Sequence, residues 1–502
     1  MVMEKRLDAL LCHLRPVQDL RAAAELLEWD QETYMPDGAA DARARQVATL
    51  RKTAHELFTS DRVGTLLDVL AGEVSDLDPL SFAASLVRIT QRDYARAVNL
   101  PAALIAELAE TTGRAKNAWR EARATDQFDL FAPHLDKILE LTIRKAEALG
   151  HGKCLYDALL DEFEPEMSTA EVADVFGALR EELVPIVKSV AACPAPEDAF
   201  LFQAYDTKMQ WDYGMQVLRD IGYDFARGRQ DISTHPFSTS FSITDVRITT
   251  RMDKRALPTA FFSTLHEAGH ALYEQGIDLN LEGTLLADGT SLGIHESQSR
   301  LWENQVGRSR PFWRHYYPTL QECFPRQLGS VRLDTFYRGI NKVAPSLIRV
   351  ESDEVTYNLH IMVRFELEQA LVDGTLSVVE LPEAWNDRME EYIGIRPKTS
   401  AEGVLQDIHW SLGAIGYFPT YTLGNLISAQ LFERAHGELP GLMDAIGQGA
   451  FGEFLQWLRS NVHTHGRKLS APDILERVTG GGLDATPWLA YIRRKYRNLY
   501  DL

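Results

Sequence analysis

Apolar residues recur at steps of three and four through almost all of the 502-residue chain. The stretches LRAAAELLEWDQETY, ARARQVATLRKTAHELF and PHLDKILELTIRKAEAL have this spacing in the first half, and the pattern returns through to WLAYIRRKYRNLYDL. The spacing matches the period of an α-helix and predicts helices that bury one face. No Pro-, Gly- or Ser-rich linker interrupts the pattern, so we expect a mainly α-helical protein.

The length and charge of the chain limit its architecture and its partners. A chain of 502 residues exceeds the size at which one hydrophobic core usually stops growing, so we expect two lobes with a cleft between them. The net charge of −20 argues against nucleic acid or an anionic membrane as the main partner. No apolar run approaches the roughly 18 residues of a bilayer-spanning helix, so we expect no membrane segment.

The cysteines and the first residues of the sequence indicate a cellular compartment. We predict that the cysteines are reduced and mostly buried, because they form no CxxC pair and no framework spacing. The opening stretch MVMEKRLDALLCHLRP has acidic residues among its apolar ones and lacks the apolar core of a signal peptide. Together these features predict a cytoplasmic protein. The scattered cysteines are Cys12, Cys154, Cys193 and Cys323.

One short region departs from the helical period. In HPFSTSFSITDVRITTRM, residues 235 to 252, β-branched residues and serines alternate, which predicts one or two short strands. Asp245, Arg247 and Thr249 then share one face. We interpret the region either as an edge strand that lines a substrate cleft or as a surface hairpin with a structural Asp–Arg pair.

The stretch FFSTLHEAGHALYEQG carries two histidines four positions apart. Pro258 and Gly276 stand where a helix is expected to start and stop. On that helix His266 and His270 lie on one face, where two imidazole nitrogens can bind one zinc ion. Glu267 lies beside them and can accept a proton from water. The pattern predicts metal-assisted hydrolysis, and the alternative is a helix that carries these letters by chance.

A glycine, Gly269, interrupts this predicted helix between its two histidines. A glycine inside a helix costs about 1 kcal/mol relative to alanine. We therefore infer that another group approaches the helix closely at this point, and a tight contact with a second helix would explain the residue equally well.

The third metal ligand has to come from another part of the chain. A metzincin site is excluded, because it requires glycine and histidine where Tyr273 and Gly276 stand. The other zincin arrangement takes a glutamate from a second helix. GIHESQSRLWENQVG offers Glu296, with the adjacent His295 as the reserve. The alternative for Glu296 is a surface ion pair with Arg300.

Six stretches, in order along the chain, carry a family resemblance. They are HPF (235–237), DVRIT (245–249), HEAGH (266–270), HESQSR (295–300), IRVESDEVTY (348–357) and GVLQDIHW (403–410). In these stretches the chain resembles the carboxypeptidase Taq family of metallocarboxypeptidases, which are of the HExxH gluzincin type. One departure is the Ser352–Asp353 pair, where the family often has alanine–aspartate, and this small change puts little in doubt.

The resemblance implies a fold and an activity. The implied fold is mainly α, a gluzincin-like helical peptidase with a long central groove and a small three-stranded β-sheet beside the active site. It forms a single catalytic unit over residues 1–502, with two helical lobes around the groove and the metal-site core at about 235–425. The implied enzyme is a homodimer that releases single amino acids from the C-terminus of peptides with broad specificity.

The resemblance also implies a set of site residues. Matched position by position, the metal ligands are His266, His270 and Glu296, and Glu267 is the catalytic carboxylate. One zinc ion per subunit is the expected cofactor. Cobalt is possible, because affinity order and metal availability rather than ligand identity decide between the two.

The expected mechanism needs two kinds of group besides the ligands. Glu267 takes a proton from the water that the ion acidifies and returns it to the leaving amine. The oxyanion needs a stabiliser besides the ion, and HWSLGAIGYFPTYTLGN offers His409, Tyr417 and Tyr421. Tyr421 is our choice. For His409 a structural role in helix packing is the alternative.

Exopeptidase action also requires a group that binds the free carboxylate of the substrate. The planar fork of arginine suits this task, and we predict Arg349 with the support of the family resemblance. The alternative is a structural ion pair of Arg349 with Asp353 or Glu351. Asp353 is also, together with Glu354 and His235, a candidate for hydrogen bonds that orient the metal ligands.

Two other functions stay open at this point. A gluzincin endo-oligopeptidase would share the metal residues but would need no group for a terminal carboxylate. A non-catalytic helical interaction protein would carry an inert HExxH motif and would bind no stoichiometric ion. Sensitivity to C-terminal amidation of a peptide separates the first alternative from a carboxypeptidase, and metal analysis separates the second.

Overall fold

The structure, a computed structural model, describes residues 2–150 and 152–502 and confirms a mainly helical fold with one small sheet. The helices are α1 (Val2–Thr33), α2 (Ala40–Phe58), α3 (Asp61–Val74), α4 (Phe82–Asn99), α5 (Ala102–Thr125), α6 (Ala132–Leu149), α7 (Leu155–Leu160), α8 (Thr169–Ala191), α9 (Thr207–Asp220), α10 (Leu257–Gln275), α11 (Leu292–Arg300), α12 (Arg310–Cys323), α13 (Pro325–Leu328), α14 (Leu333–Ile340), α15 (Tyr357–Val372), α16 (Leu381–Ile393), α17 (Pro419–Glu438), α18 (Leu442–Ile446), α19 (Gly452–Asn461), α20 (Ala471–Thr479) and α21 (Thr486–Tyr500). The strands are β1 (Gln230–Ile232), β2 (Ser238–Ser242) and β3 (Asp245–Thr250).

The N-terminal helices bury one face, as their spacing predicts. In α1 the side chains of Leu10, Leu14 and Val17 are fully buried where the helix packs on α2 and α3. Among the described residues the large buried apolar clusters are two, one centred on α1 to α4 and the other extending from α5 to α21. The arrangement of two helical lobes around a groove stays a prediction.

The sheet has the order β1-β3-β2, with β1 parallel and β2 antiparallel to β3. Val246 and Ile248 are fully buried in the same apolar cluster as Leu265 of α10, so β3 is the strand that supports this helix. The region predicted to form one or two short strands therefore forms two, paired as a hairpin, and β1 adds a strand from outside that region. Its three-residue length gives a weak signal in the sequence.

The opposite face of β3 carries the predicted Asp–Arg pair. Arg247 donates two hydrogen bonds of 2.9 Å to Asp245, and its guanidinium lies 4.5 Å from the ring centre of Trp29. Thr249 continues this face and accepts a hydrogen bond of 2.7 Å from Ser233. These contacts support the interpretation as a structural pair within the hairpin. A role for Asp245 and Arg247 in a substrate cleft stays a prediction.

Two glycines allow α11 to lie between α10 and α17. The position of a Cβ atom on Gly269 of α10 would be 2.5 Å from the carbonyl oxygen of Gln298 and from Cα of Ser299. A Cβ atom on Gly424 of α17 would lie 2.5 Å from Cγ of Glu296. The mid-helix glycine of the HExxH segment is thus explained by a close helix contact, and α10 begins and ends where Pro258 and Gly276 predict.

The cysteines correct one prediction. All four are free thiols, but none is buried, since Cys12 and Cys154 are exposed and Cys193 and Cys323 are half-buried. Cys154 and Cys193 lie outside the helices, just before α7 and just after α8, where no helical face buries them. Among the described residues no helix is long and apolar enough to span a membrane.

The close contact at Gly269 generates a prediction for stability. Gly269→Ala places a methyl group against the backbone of α11, and we expect a loss of about 1–3 kcal/mol in the free energy of unfolding. Gly113→Ala, on the exposed face of α5 with no atom within 4 Å of the new Cβ, is the matched control and should be neutral or stabilise by up to about 1 kcal/mol. Urea unfolding followed by circular dichroism measures both. Equal effects of the two substitutions would contradict the contact.

Candidate metal centre

Helices α10 and α11 bring two histidines and one glutamate together. The Nε2 atoms of His266 and His270 lie 3.5 Å and 3.4 Å from Oε2 of Glu296, and the three ligand atoms lie within 4.8 Å of one another. Two ligands bound at roughly 2.0–2.2 Å to a tetrahedral ion are about 3.3–3.6 Å apart. The donor set therefore fits a divalent ion of the zinc type, and the cluster contains the three residues that the sequence and the resemblance predict.

His266 is held by a carboxylate that the sequence interpretation did not assign. Glu303 lies in the π-helical turn Leu301–Val306, directly after α11, and its Oε2 is 3.0 Å from Nδ1 of His266. It also accepts hydrogen bonds of 3.3 Å from Arg300 and Arg308. Burial opposes ionisation of Glu303, but His266 and the arginines lower the pKa of its carboxyl group to about 2. The bond to Nδ1 directs Nε2 of His266 toward Glu296.

His270 is held by a second imidazole. Its Nδ1 lies 2.6 Å from Nδ1 of His295, whose Nε2 lies 2.9 Å from Glu274. One proton order satisfies both contacts: His295 donates from Nε2 to Glu274 and accepts at Nδ1 from His270, which leaves the Nε2 lone pair of His270 free. Burial lowers the pKa of His270 to about 4, which keeps this ring neutral. His295, the reserve ligand, thus lies behind His270 and outside the metal cluster.

Glu296 divides its two oxygens between different tasks. Oε1 accepts a hydrogen bond of 2.7 Å from Arg300. Oε2 faces the histidines and accepts a hydrogen bond of 3.0 Å from the Ser299 hydroxyl group. Although burial acts in the opposite direction, Arg300 and His266 hold the pKa of Glu296 well below its usual range. The ion pair with Arg300 that the sequence offered as an alternative is present, but Glu296 is 5% exposed, so this is not a surface pair.

Glu267 lies beside the triad with a free carboxyl group. It is buried, and its side chain makes no hydrogen bond within the described part of the chain. Burial raises its pKa to about 7, and the charges of Glu296 and Glu303 act in the same direction while His266 opposes them. A carboxyl group with this freedom next to the donor set is available for proton transfer.

Arg349 is buried in a polar cluster. Its Nε and Nη2 donate to Oδ1 of Asp407 at 3.1 Å and 2.8 Å, and its Nη1 donates to the Tyr357 hydroxyl group at 2.7 Å. The ion-pair partner is therefore Asp407, and the predicted alternative partners Asp353 and Glu351 are wrong. Asp407 is 58 positions from Arg349 in the sequence and reaches it only through the tertiary fold.

The three candidates for the oxyanion lie near Arg349. Nε2 of His409 is 3.4 Å from the Tyr421 hydroxyl group, and the Arg349 guanidinium lies 5.0 Å from the Tyr421 ring centre. Burial lowers the pKa of His409 to about 4, so the ring is neutral. Tyr417 is within electrostatic reach of Glu296, whose charge adds to burial in raising the pKa of Tyr417. Tyr421 thus borders Arg349, and the charge of Glu296 acts on Tyr417.

Of the three candidates for orienting the metal ligands, Asp353 and Glu354 have other partners, and the role of His235 stays a prediction. Asp353 accepts hydrogen bonds from the backbone and hydroxyl of Thr356 at the start of α15. Glu354 forms a buried ion pair with Lys495 at 2.6 Å. His235 is exposed, and its carbonyl oxygen accepts from Ser233. Asp353 and Glu354 therefore stabilise the loop that precedes α15 instead of contacting a metal ligand.

The residues that do orient the ligands had a weak signal in the sequence. Glu274 follows His270 by four positions, which places both on one face of α10. Glu303 follows Glu296 by seven positions, two helical turns along the same side. Such spacings occur on many surface helices, so they do not single out a ligand partner without the tertiary contacts.

Comparisons with known proteins agree with this geometry. The model of the carboxypeptidase Taq (M32) metallopeptidase family matches residues 9–496. The chain is 42% identical to thermostable carboxypeptidase 1 of Thermus thermophilus over all of both chains, and 40% identical to carboxypeptidase 1 of Bacillus subtilis over 97% of each. The crystal structure of an M32 carboxypeptidase from Deinococcus radiodurans matches with a TM-score of 0.97 at 42% identity, covering 99% of this chain and 100% of that one. The chain belongs to the carboxypeptidase Taq (M32) family of metallopeptidases.

Proposed function

We propose that the protein is a zinc-dependent carboxypeptidase that releases single residues from the C-terminus of peptides with broad preference. One ion per chain is held by His266, His270 and Glu296, and cobalt can replace zinc in the same donor set. The observation that carries this proposal is the approach of two Nε2 atoms to one carboxylate oxygen at 3.5 Å and 3.4 Å. The family membership supports peptides as the substrate class.

The residues around the triad divide the chemistry between them. When bound, a divalent ion supplies a Lewis acid for water and for the scissile carbonyl group. Glu267 accepts a proton from the attacking water and donates it to the departing amine. Glu303 and His295 keep the two imidazole rings oriented throughout. Tyr421, within reach of His409, is the proposed hydrogen-bond donor to the oxyanion.

Arg349 is the proposed group that binds the C-terminal carboxylate. A guanidinium has five N–H groups. Asp407 and Tyr357 accept three of them, which leaves one on Nη1 and one on Nη2. Two donors on neighbouring nitrogens match the two oxygens of a carboxylate. This arrangement supports single-residue release, because it fixes the substrate's end relative to the metal.

We also propose an oligomeric state, a cellular location and the extent of the peptidase unit. The homodimer rests on the family resemblance, and a mass measurement by light scattering tests it: a monomer at working concentration would contradict it. The proposed cytoplasmic location rests on four free cysteines, which suit a reducing compartment. The proposed peptidase unit spans residues 1–502, with two lobes around a groove and its metal-site core at about 235–425.

The metal proposal predicts the effect of losing Glu303. Glu303→Ala removes the partner of His266 Nδ1, and we expect metal affinity to fall about 10- to 100-fold. Competition with a chromophoric chelator measures the affinity. Glu366→Ala, which removes a carboxylate paired with Arg180, is the control and should leave the affinity unchanged. Equal affinities of wild type and Glu303→Ala would argue against this orientation of the ligand.

The proton-transfer role predicts a kinetic effect with a full complement of metal. Glu267→Gln keeps the size of the side chain but removes its basicity, so kcat should fall about 10²- to 10⁴-fold. The metal content should stay at one ion per chain, because Glu267 is not a ligand. Steady-state cleavage of a blocked dipeptide and atomic absorption give the two values. A variant with near wild-type kcat would exclude Glu267 as the proton acceptor.

Peptide amidation tests the direction of cleavage. Wild-type enzyme should release the last residue of a free-acid peptide, as followed by product mass, and should cleave the C-terminal amide poorly. Arg349→Gln should raise KM for the free acid about 10- to 100-fold, the loss expected for charged hydrogen bonds worth about 1.5–3 kcal/mol. Arg349→Lys should be intermediate, since it keeps the charge without the fork. Equal cleavage of acid and amide would favour the endo-oligopeptidase alternative.

A further inference from the structure

The side chain of Asp407 connects two buried arginines. Oδ1 accepts hydrogen bonds from Nε and Nη2 of Arg349, and Oδ2 accepts one of 2.6 Å from Nε of Arg364. We propose that Asp407 is a positioning residue for substrate recognition, which fixes the Arg349 guanidinium so that its two remaining N–H groups bind the C-terminal carboxylate. This inference rests on the function proposed for Arg349.

Arg364 holds the side chain of Asp407 in place through a hydrogen bond to Oδ2. The Arg364 side chain is fully buried, its Nη1 donates to the carbonyl oxygen of His360 at 2.6 Å, and its guanidinium lies 4.5 Å from the ring centre of Trp385. These contacts hold the Arg364 guanidinium, which in turn donates to Oδ2 of Asp407. Asp407 is therefore attached to α15 through Arg364. Its other oxygen, Oδ1, accepts from Arg349 and so fixes the orientation of that guanidinium.

The backbone of Arg349 is held from the same segment. The side-chain oxygen of Gln406 accepts from the backbone N–H of Arg349 at 2.9 Å, and its amide nitrogen donates to the carbonyl of Leu347 at 3.0 Å. Gln406 and Asp407 are neighbours, so one short stretch fixes both the main chain and the guanidinium of Arg349. This double attachment is what a binding group needs in order to be pre-organised for its ligand.

The charges of the cluster point to an anionic ligand. Two guanidinium groups share the single carboxylate of Asp407, so this trio carries one net positive charge in a buried place. The neighbouring imidazoles do not change that sum, because burial and the arginines lower the pKa of His360 and burial lowers that of His409. A buried unbalanced charge is costly. The partial charge of Glu368 balances this excess only in part, and the carboxylate of a substrate would supply the rest.

One further carboxyl group lies near Arg364. Glu368 accepts hydrogen bonds from the Tyr156 hydroxyl group and the Trp410 indole, each at 2.7 Å, so both its oxygens are engaged away from Arg349. Burial raises its pKa to about 7, which leaves it only partly ionised near neutral pH. Glu368 therefore does not replace Asp407 as the partner that orients Arg349.

The test compares Asp407→Asn with wild type on a peptide and its C-terminal amide. The asparagine has the same shape but lacks the charge, so the fork of Arg349 loses its fixed orientation. We expect KM for the free acid to rise about 10-fold or more, since small misplacements at a binding group are expensive, while kcat changes by less than about 3-fold. The preference for acid over amide should fall, and the metal content should stay the same.

A double variant separates positioning from simple stabilisation. Two groups that act as a unit do not add. In the Arg349→Gln background, Asp407→Asn should therefore cause no further rise in KM. Additive effects, or an unchanged preference for acid over amide in Asp407→Asn, would overturn the proposal. Asp93→Asn, which weakens the ion pair of Asp93 with Arg467, is the matched control and should lower thermal stability without changing that preference.

The two variants separate the role of Asp407 from that of Arg349. If Arg349→Gln itself leaves the preference for acid over amide unchanged, the carboxylate site proposed for Arg349 is wrong. If Arg349→Gln abolishes the preference and Asp407→Asn does not, only the positioning role is wrong. Should Asp407→Asn fail to fold, Asp407→Glu keeps the charge but displaces it by one methylene. That variant should then show an intermediate rise in KM, and an unchanged KM would overturn the inference.

Discussion

The candidate site depends on the close approach of α11 to the helices on either side of it. Gly269 and Gly424 remove the two side chains that would otherwise separate the backbones, since a Cβ atom at either position would lie 2.5 Å from atoms of α11. Because the two helices pack this closely, the side chain of Glu296 reaches the imidazoles of α10. The destabilising effect of a glycine inside a helix is thus offset by the contact that assembles the donor set.

The charges buried around that contact are tolerated because they alternate in sign. Glu303, Arg300 and Glu296 follow one another in space, and His266 lies between the two carboxylates. The arrangement extends further, since the Arg300 guanidinium lies 4.7 Å from the Tyr357 ring centre and the hydroxyl group of that tyrosine accepts from Arg349. A continuous set of polar contacts therefore joins the metal cluster to the proposed carboxylate site.

Much of this could be predicted from local patterns in the sequence. The helices, the ends of α10 and the convergence of its histidines follow from periods and caps that a short window contains. Glu296 required one further step, the exclusion of the metzincin arrangement. The resemblance then supplied the small sheet and Arg349, although the three-residue β1 left no clear pattern of its own.

The residues that orient Arg349 and the metal ligands could not be predicted from local patterns. Asp407 is 58 positions from Arg349 and binds it only through the tertiary fold, whereas the sequence favoured the nearby Asp353 and Glu351. Asp353 and Glu354 were also candidate partners of the metal ligands, and both stabilise loops instead. The prediction of buried cysteines was wrong for a related reason. Cysteine is usually buried as a residue type, but this tendency says nothing about the surroundings of a particular cysteine in this fold.

The central claim is that His266, His270 and Glu296 form one tetrahedral metal site. Anomalous diffraction from crystals grown with zinc tests it most directly. We expect one strong peak per chain, at roughly 2.0–2.2 Å from Nε2 of each histidine and from Oε2 of Glu296. A peak bound elsewhere, or full occupancy with His295 in place of Glu296, would contradict it.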